Sequence, residues 1–126
     1  MLIFRCVGVL YLLSGIWCAL QPELAAVFLG YKFSSTLGLA EFFSVYGGLQ
    51  FGIAIAILAS SFMPDYRIAA SFFSFVTSLG LFAFRLLSVL FMDQSAVLIY
   101  MLGLEGVLVV VLLCVWRRQI AVGKDN

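Results

Sequence analysis

Four long stretches of apolar residues constrain the fold of this chain more than any other feature. They cover about residues 2–20, 39–62, 67–92 and 96–116, and a polar segment follows each one: "QPE", "MPDY", "DQS" and "RRQ". An α-helix needs about 20 apolar residues to cross the hydrocarbon core of a bilayer. The sequence therefore predicts an all-α fold, in which a single integral membrane domain forms a four-helix bundle.

The composition of the 126-residue chain agrees with a bilayer environment. Hydrophobic residues make up 65% of the chain and charged residues 10%, whereas soluble domains contain roughly 45–50% apolar residues. The net charge of +1 gives no electrostatic basis for binding nucleic acid. There is no histidine, and Cys6, Cys18 and Cys114 form no CxxC pair. We therefore expect no metal site, no haem and no thiol–disulfide chemistry.

The segment "QPELAAVFLGYKFSSTLG" between the first two spans predicts a short helix lying at the membrane surface. Pro22 suits the first turn of a helix, and Gly30 suits its end. Aromatic and basic residues of the kind found at bilayer interfaces follow: Tyr31, Lys32 and Phe33. The next three residues are candidate caps for the second span: Ser34, Ser35 and Thr36.

The distribution of basic residues predicts the orientation of the spans. One side of the membrane collects five of them: Arg5, Arg67, Arg117, Arg118 and Lys124. The other side collects Lys32 alone. Because basic residues concentrate in cytoplasmic segments, both termini are expected to face the cytoplasm, and the loops around Lys32 and Asp93 to face outward.

Three charged residues are predicted to meet in the outer half of the membrane. Glu41 lies near the outer end of the second span, Arg85 roughly 10 Å inside the third and Glu105 roughly 14 Å inside the fourth, at 1.5 Å per residue. A lone charge at mid-bilayer costs about 2.5–3.5 kcal/mol or more, so opposite charges should pair. We expect Glu41, Arg85 and Glu105 to form one polar network.

The stretch "EFFSVYGGLQFG" supplies the other polar and small residues that we single out. At 100° per residue, Glu41 shares a side of its helix with Gly48 and Gly52, and "GLQFG" is a GxxxG element that favours close helix packing, for which Gly47 is a further candidate. Tyr46 and Gln50 lie four residues apart on the opposite side. We expect them to bond to each other, to a neighbouring helix or to a ligand.

The order and spacing of these motifs resemble a known family. "RCVGVLYLLSGIWCALQP", "EFFSVYGGLQFGIAI", "LGLFAFRLLSVL" and "GLEGVLVVV" are similar to the bacterial domain of unknown function 4345, a branch of the DoxX-like four-helix membrane proteins. The resemblance covers nearly the whole chain and implies the four-helix fold in a bacterial inner membrane. It implies no specific activity, because the family is uncharacterised, and no redox motif here matches the quinone-linked sulfur oxidation associated with some relatives.

Four functions remain open at this stage. In the first, the polar network sets the helix register of a small accessory or scaffold subunit. In the second, a pocket beside Phe42, Tyr46, Arg85 and Glu105 binds a lipophilic ligand such as a quinone headgroup or a lipid. Transport or proton relay would need an oligomer, since four spans are few. Enzymatic catalysis is the least favoured, and we expect a non-enzyme without a cofactor, whose partners are the bilayer, other membrane proteins or further copies of itself.

Overall fold

The computed structural model describes residues 1–92 and 94–124, and these residues form an all-α fold, as predicted. Asp93, which marks one predicted outer loop, lies outside the described residues, as do Asp125, Asn126 and the side chain of Lys124. Six α-helices are present in this part of the chain: α1 (Leu2–Leu20), α2 (Pro22–Phe28), α3 (Thr36–Phe42), α4 (Gln50–Phe62), α5 (Arg67–Phe91) and α6 (Ala96–Lys124). A π-helix, Phe43–Leu49, joins α3 to α4, and a 3₁₀ turn, Pro64–Tyr66, precedes α5.

Within the described residues, four helical segments are long and apolar enough to span a membrane: Leu2–Leu20, Thr36–Phe62, Pro64–Phe91 and Ala96–Val122. The second begins at Thr36 because the Ser35 hydroxyl accepts a hydrogen bond from the Gly38 backbone N–H and caps it. The fourth passes its expected end at Trp116, because "RRQIAV" contains no helix breaker. The length and composition of these helices therefore indicate a multi-pass membrane protein.

The chain divides into two compact units, and the N-terminal one comprises Leu2 and Phe4–Phe62. Within it, α1 runs antiparallel to the second span. The Arg5 guanidinium donates a 3.1 Å hydrogen bond to the Ser61 hydroxyl at one end, and Gly8 lies against Ile57 nearby. Small residues on α1 therefore allow the two helices to approach closely.

The short helix α2 ends in a Schellman motif. Gly30 has a φ of 82°, a conformation that L-residues other than glycine rarely adopt. Its backbone N–H donates to the Val27 carbonyl, and the Tyr31 N–H donates to the Ala26 carbonyl. The sequence prediction that Gly30 ends this helix is confirmed. The motif turns the chain sharply and places Tyr31 beside the start of the second span.

The second unit comprises Met1, Ile3 and the chain from Met63 onward, and its frame is the antiparallel pair of α5 and α6. The Trp116 ring stacks on Phe75 at a centroid distance of 5.7 Å, and Phe82 lies against Gly106 further along. Later residues of α5 contact earlier residues of α6, so the two helices run antiparallel, as in a helical hairpin with a short connection. This register brings the end of α5 beside the start of α6.

Candidate functional site

An ion pair between Arg85 and Glu105, which lie in two segments apolar enough to span a membrane, is the central polar contact of the second unit. The Arg85 Nε lies 2.7 Å from each of the two carboxylate oxygens of Glu105. The Arg85 side chain is 22% exposed to solvent and the Glu105 side chain 14%, so the pair is partly buried. Charge-assisted contacts of this length are stronger than neutral hydrogen bonds, and their strength rises as water is excluded.

The register of the hairpin explains why these two residues meet. Arg85 lies six residues before the end of α5, and Glu105 lies nine residues after the start of α6. Both are thus about 9–14 Å from the connected end of the hairpin, at 1.5 Å per residue. The Arg85 Nη1 also lies 3.6 Å from the Met101 sulfur, one helical turn from Glu105. The guanidinium therefore spans two turns of α6.

The third member of the predicted network, Glu41, belongs to the N-terminal unit. Its side chain is exposed on α3, five residues after the start of the second span. Within its unit, Glu41 forms no hydrogen bond or ion pair with a described residue. The structure therefore shows the Arg85–Glu105 pair within the second unit and, within the N-terminal unit, Glu41 near one end of a spanning helix.

The stretch that contains Tyr46, Gly47 and Gly48 forms the π-helix, Phe43–Leu49. Hydrogen bonds in a π-helix reach one residue further than in an α-helix, so each residue advances by less than 100° around the axis. The prediction that Glu41 shares a side of its helix with Gly48 and Gly52 assumed 100° per residue. That angle does not apply within Phe43–Leu49, so the prediction does not hold. Isolated π-turns occur frequently at functional sites, but no sequence signal identified this one.

Only one of the three glycines predicted to pack closely is enclosed within the described residues. A Cβ on Gly47 would lie 3.2 Å from the Ala19 Cβ on α1. At Gly48 and Gly52, apart from the nearby backbone and the chain neighbours, no heavy atom of the described residues lies within 4 Å of the position that a Cβ would take. Among the described glycines, the closest approach to backbone atoms of another segment occurs at Gly15, where a Cβ would lie 3.0 Å from the Phe51 nitrogen and 3.1 Å from the Gly47 carbonyl oxygen.

Tyr46 and Gln50 have different surroundings in the structure. The Tyr46 hydroxyl forms a hydrogen bond with the Tyr31 hydroxyl. The side-chain oxygen of Gln50 is buried and has no hydrogen-bond partner among the described residues. An unsatisfied buried acceptor costs about 1–3 kcal/mol. The structure therefore places Gln50 beside the close contact of α1 with the π-helix and gives its carbonyl oxygen no partner there.

An aromatic cluster lies where the chain enters the second span. The Phe42 and Tyr46 rings stack at a centroid distance of 4.6 Å, and Tyr31 meets both rings edge to face. Phe33 packs on Phe42 at 5.7 Å. The four rings pack against one another. Phe42 and Tyr46 therefore act as packing residues, which hold the segment after α2 against the second span.

A cavity of about 540 Å³ lies beside this cluster, and sequence reasoning did not identify it. It is lined by residues of α2, of the following loop and of the start of α3. Its charged residues are Glu23 and Lys32. The signal available in the sequence is the concentration of polar and aromatic residues between the first two spans, which predicts a short helix at the membrane surface and names no pocket.

The chain was compared with protein-family models, curated proteins and solved structures. No protein-family model, no curated protein and no solved structure matches this chain. Among the residues that the structure describes, no group of three Cys, Asp or Glu side chains is arranged to hold a metal ion.

Proposed function

We propose that this protein is an accessory or scaffold subunit of the bacterial inner membrane, with both termini in the cytoplasm. Its role is to bind another membrane protein, or a further copy of itself, and it carries out no reaction of its own. The bacterial assignment follows from the resemblance to the domain of unknown function 4345 and the DoxX-like proteins. The orientation follows from the five basic residues on one side of the predicted spans.

The observation that carries this proposal is the pairing of Arg85 with Glu105. The Nε donates to both carboxylate oxygens at 2.7 Å, so the two deepest predicted charges of the chain neutralise each other inside one helix pair. Ionisable residues that serve transport face a substrate or ion path through the protein, whereas the cavity described above is lined by neither Arg85 nor Glu105. A charge pair that is satisfied between two helices instead fixes their register, which is the requirement of a structural subunit.

The open side of the second span supplies a surface for a partner helix. Gly48 and Gly52 are exposed and four residues apart, and each leaves free space where a side chain would stand. Transmembrane helices associate through such small residues, since their backbones can then approach closely. Exposed Glu41 on the same span offers a carboxylate that a basic or hydrogen-bonding group of a partner would satisfy.

The test is co-purification from native membranes. The tagged protein is extracted directly into nanodiscs, and the proteins that accompany it are quantified by mass spectrometry. We expect at least one membrane protein, or a second copy, at near-stoichiometric amount. Replacing Gly52 with leucine fills the open position, so Gly52→Leu should remove most of that partner while the chain stays folded.

The matched control is Gly80→Leu, because Gly80 on α5 is also exposed and, apart from the nearby backbone and its chain neighbours, has no described heavy atom within 4 Å of a Cβ position. The control should keep the partner. The proposal is overturned if the protein purifies alone and, in liposomes, dissipates a pH gradient that Arg85→Ala abolishes. It is also overturned if Gly52→Leu and Gly80→Leu retain the same partner equally.

A further inference from the structure

The cavity beside α2 is lined by both polar and apolar residues. Its polar lining residues carry hydroxyl or charged groups: Glu23, Lys32, Ser34, Ser35 and Thr36. Its apolar lining residues include Val27, Phe33 and Leu39. Leu39 belongs to the spanning segment Thr36–Phe62, whereas Lys32 lies in the loop before it. The lining therefore passes from residues suited to the headgroup layer to residues suited to the hydrocarbon, which fits an amphiphilic molecule.

The cavity is lined by one acidic and one basic side chain, and neither has a charged partner among the described residues. Glu23 and Lys32 are its one carboxylate and one ammonium, and both side chains are exposed. In the described part of the chain, neither forms an ion pair or a side-chain hydrogen bond. A ligand that complements both must itself carry one positive and one negative group.

We propose that this cavity binds the headgroup of a zwitterionic phospholipid that carries a primary ammonium group, as a phosphoethanolamine lipid does. The phosphate lies toward Lys32 and the hydroxyl groups of the lining, and the ammonium lies toward Glu23. The lipid chains follow the apolar wall at Leu39 into the bilayer. This site is independent of the accessory role proposed above, because none of its residues belongs to the open glycine side or the ion pair.

The chemistry of Glu23 selects among the common headgroups. A primary ammonium has three N–H donors and forms charge-assisted hydrogen bonds with a carboxylate. A trimethylated choline headgroup has the same charge but no donor. An anionic headgroup such as phosphatidylglycerol offers no cation to Glu23 and leaves that carboxylate beside a like charge. Phosphoethanolamine is therefore expected to bind best, then phosphocholine, then phosphatidylglycerol.

The walls of the cavity are held by contacts that do not require a ligand. The Schellman motif at Gly30 sets the path of the chain after α2, and the bond between Tyr31 and Tyr46 ties that path to the second span. Ligand sites are generally largely pre-formed in this way. Substitution of the exposed Glu23 or Lys32 side chains should therefore change binding and leave the fold intact.

The experiment is native mass spectrometry of the full chain from nanodiscs that contain equal amounts of phosphatidylethanolamine, phosphatidylcholine and phosphatidylglycerol with identical acyl chains. We expect one retained phosphatidylethanolamine per chain, enriched about tenfold, the factor expected when one additional charge-assisted hydrogen bond distinguishes the headgroups. Glu23→Gln should reduce this lipid to the level of phosphatidylcholine. Lys32→Gln should reduce the retention of all three lipids.

The controls are Asp65→Asn and Arg118→Gln, which remove exposed charges far along the chain from the cavity lining. Both should retain phosphatidylethanolamine at the wild-type level. Equal retention of the three lipids in every variant would overturn the proposal, as would a preference for phosphatidylglycerol that Glu23→Gln leaves unchanged. Circular dichroism on each variant separates loss of the site from loss of the fold.

Discussion

The Nε of Arg85 lies 2.7 Å from both carboxylate oxygens of Glu105, across the helix pair of the second unit. Both residues stand in segments that are apolar enough to span a membrane. Neither charge is stable there alone, but together they remove most of each other's cost. Their removal, singly and together, is the most direct probe of whether the pair is structural.

Replacing Arg85 alone should destabilise the protein more than replacing both members of the pair. Arg85→Leu leaves Glu105 uncompensated, at a cost of about 2.5–3.5 kcal/mol if the carboxylate stays charged. The double variant Arg85→Leu/Glu105→Leu leaves no charge and should recover most of that loss. Unfolding in mixed detergent micelles measures both. Equal losses in the single and double variants would contradict a coupled pair, and Arg118→Leu serves as an exposed control.

A methyl group at Gly15 should separate α1 from the π-helix. The added Cβ would lie 3.0 Å from the Phe51 nitrogen and 3.1 Å from the Gly47 carbonyl oxygen, and backbone atoms cannot move aside cheaply. We expect Gly15→Ala to lower the free energy of unfolding by about 1–3 kcal/mol. Gly52→Ala, which meets open space, should instead leave stability unchanged or raise it by up to about 1 kcal/mol.

Loss of the glycine at position 30 should release α2 from α1. Gly30 has a φ of 82°, and an L-residue in a left-handed conformation costs roughly 1–2 kcal/mol. The Trp17 ring meets Phe28 of α2 edge to face at 5.7 Å, so Trp17 fluorescence reports the position of this helix. In a Trp116→Phe background, Gly30→Ala should shift the emission of Trp17. An unchanged spectrum would show that the turn is not strained.

The hydroxyl pair of Tyr31 and Tyr46 should show coupling in a double-mutant cycle. Each Tyr→Phe change removes one partner of the same hydrogen bond, so the two losses should not add. We expect a coupling of about 0.5–1.5 kcal/mol in the free energy of unfolding. Additive losses would mean that the two hydroxyls act independently. Tyr100→Phe, on an exposed side chain of α6, is the control.

The orientation of the chain can be tested by accessibility to an impermeant maleimide. In a variant whose three native cysteines are replaced, Ser34→Cys in the loop after α2 should react in intact cells. Arg118→Cys near the end of α6 should react only after the membrane is permeabilised, because the basic cluster is predicted to be cytoplasmic. The reverse pattern would show that both termini face outward and would remove this part of the proposed function.

Much of the secondary structure follows from local sequence. The four spans are recognisable because twenty apolar residues in succession have one stable arrangement in a bilayer, a helix that satisfies its own backbone hydrogen bonds. The turn at Gly30 and the cap at Ser35 are equally local, since each depends on the conformational freedom or hydrogen-bonding group of one residue. The contact between Arg85 and Glu105 is predicted from their similar depths in two consecutive spans, because helices joined by a short connection run in opposite directions.

Other features were decided by tertiary structure. The π-helix at Phe43–Leu49 has no sequence signature that we recognised, and it changes which residues share a side of the second span. The close approach of Gly15 to Gly47, and the open space at Gly48 and Gly52, depend on how α1 packs on that segment. The cavity that Glu23 and Lys32 help to line depends on the path that the chain takes after α2. The pattern of residues in a sequence determines which segments are helical, but contacts between distant residues determine which surfaces close and which remain open.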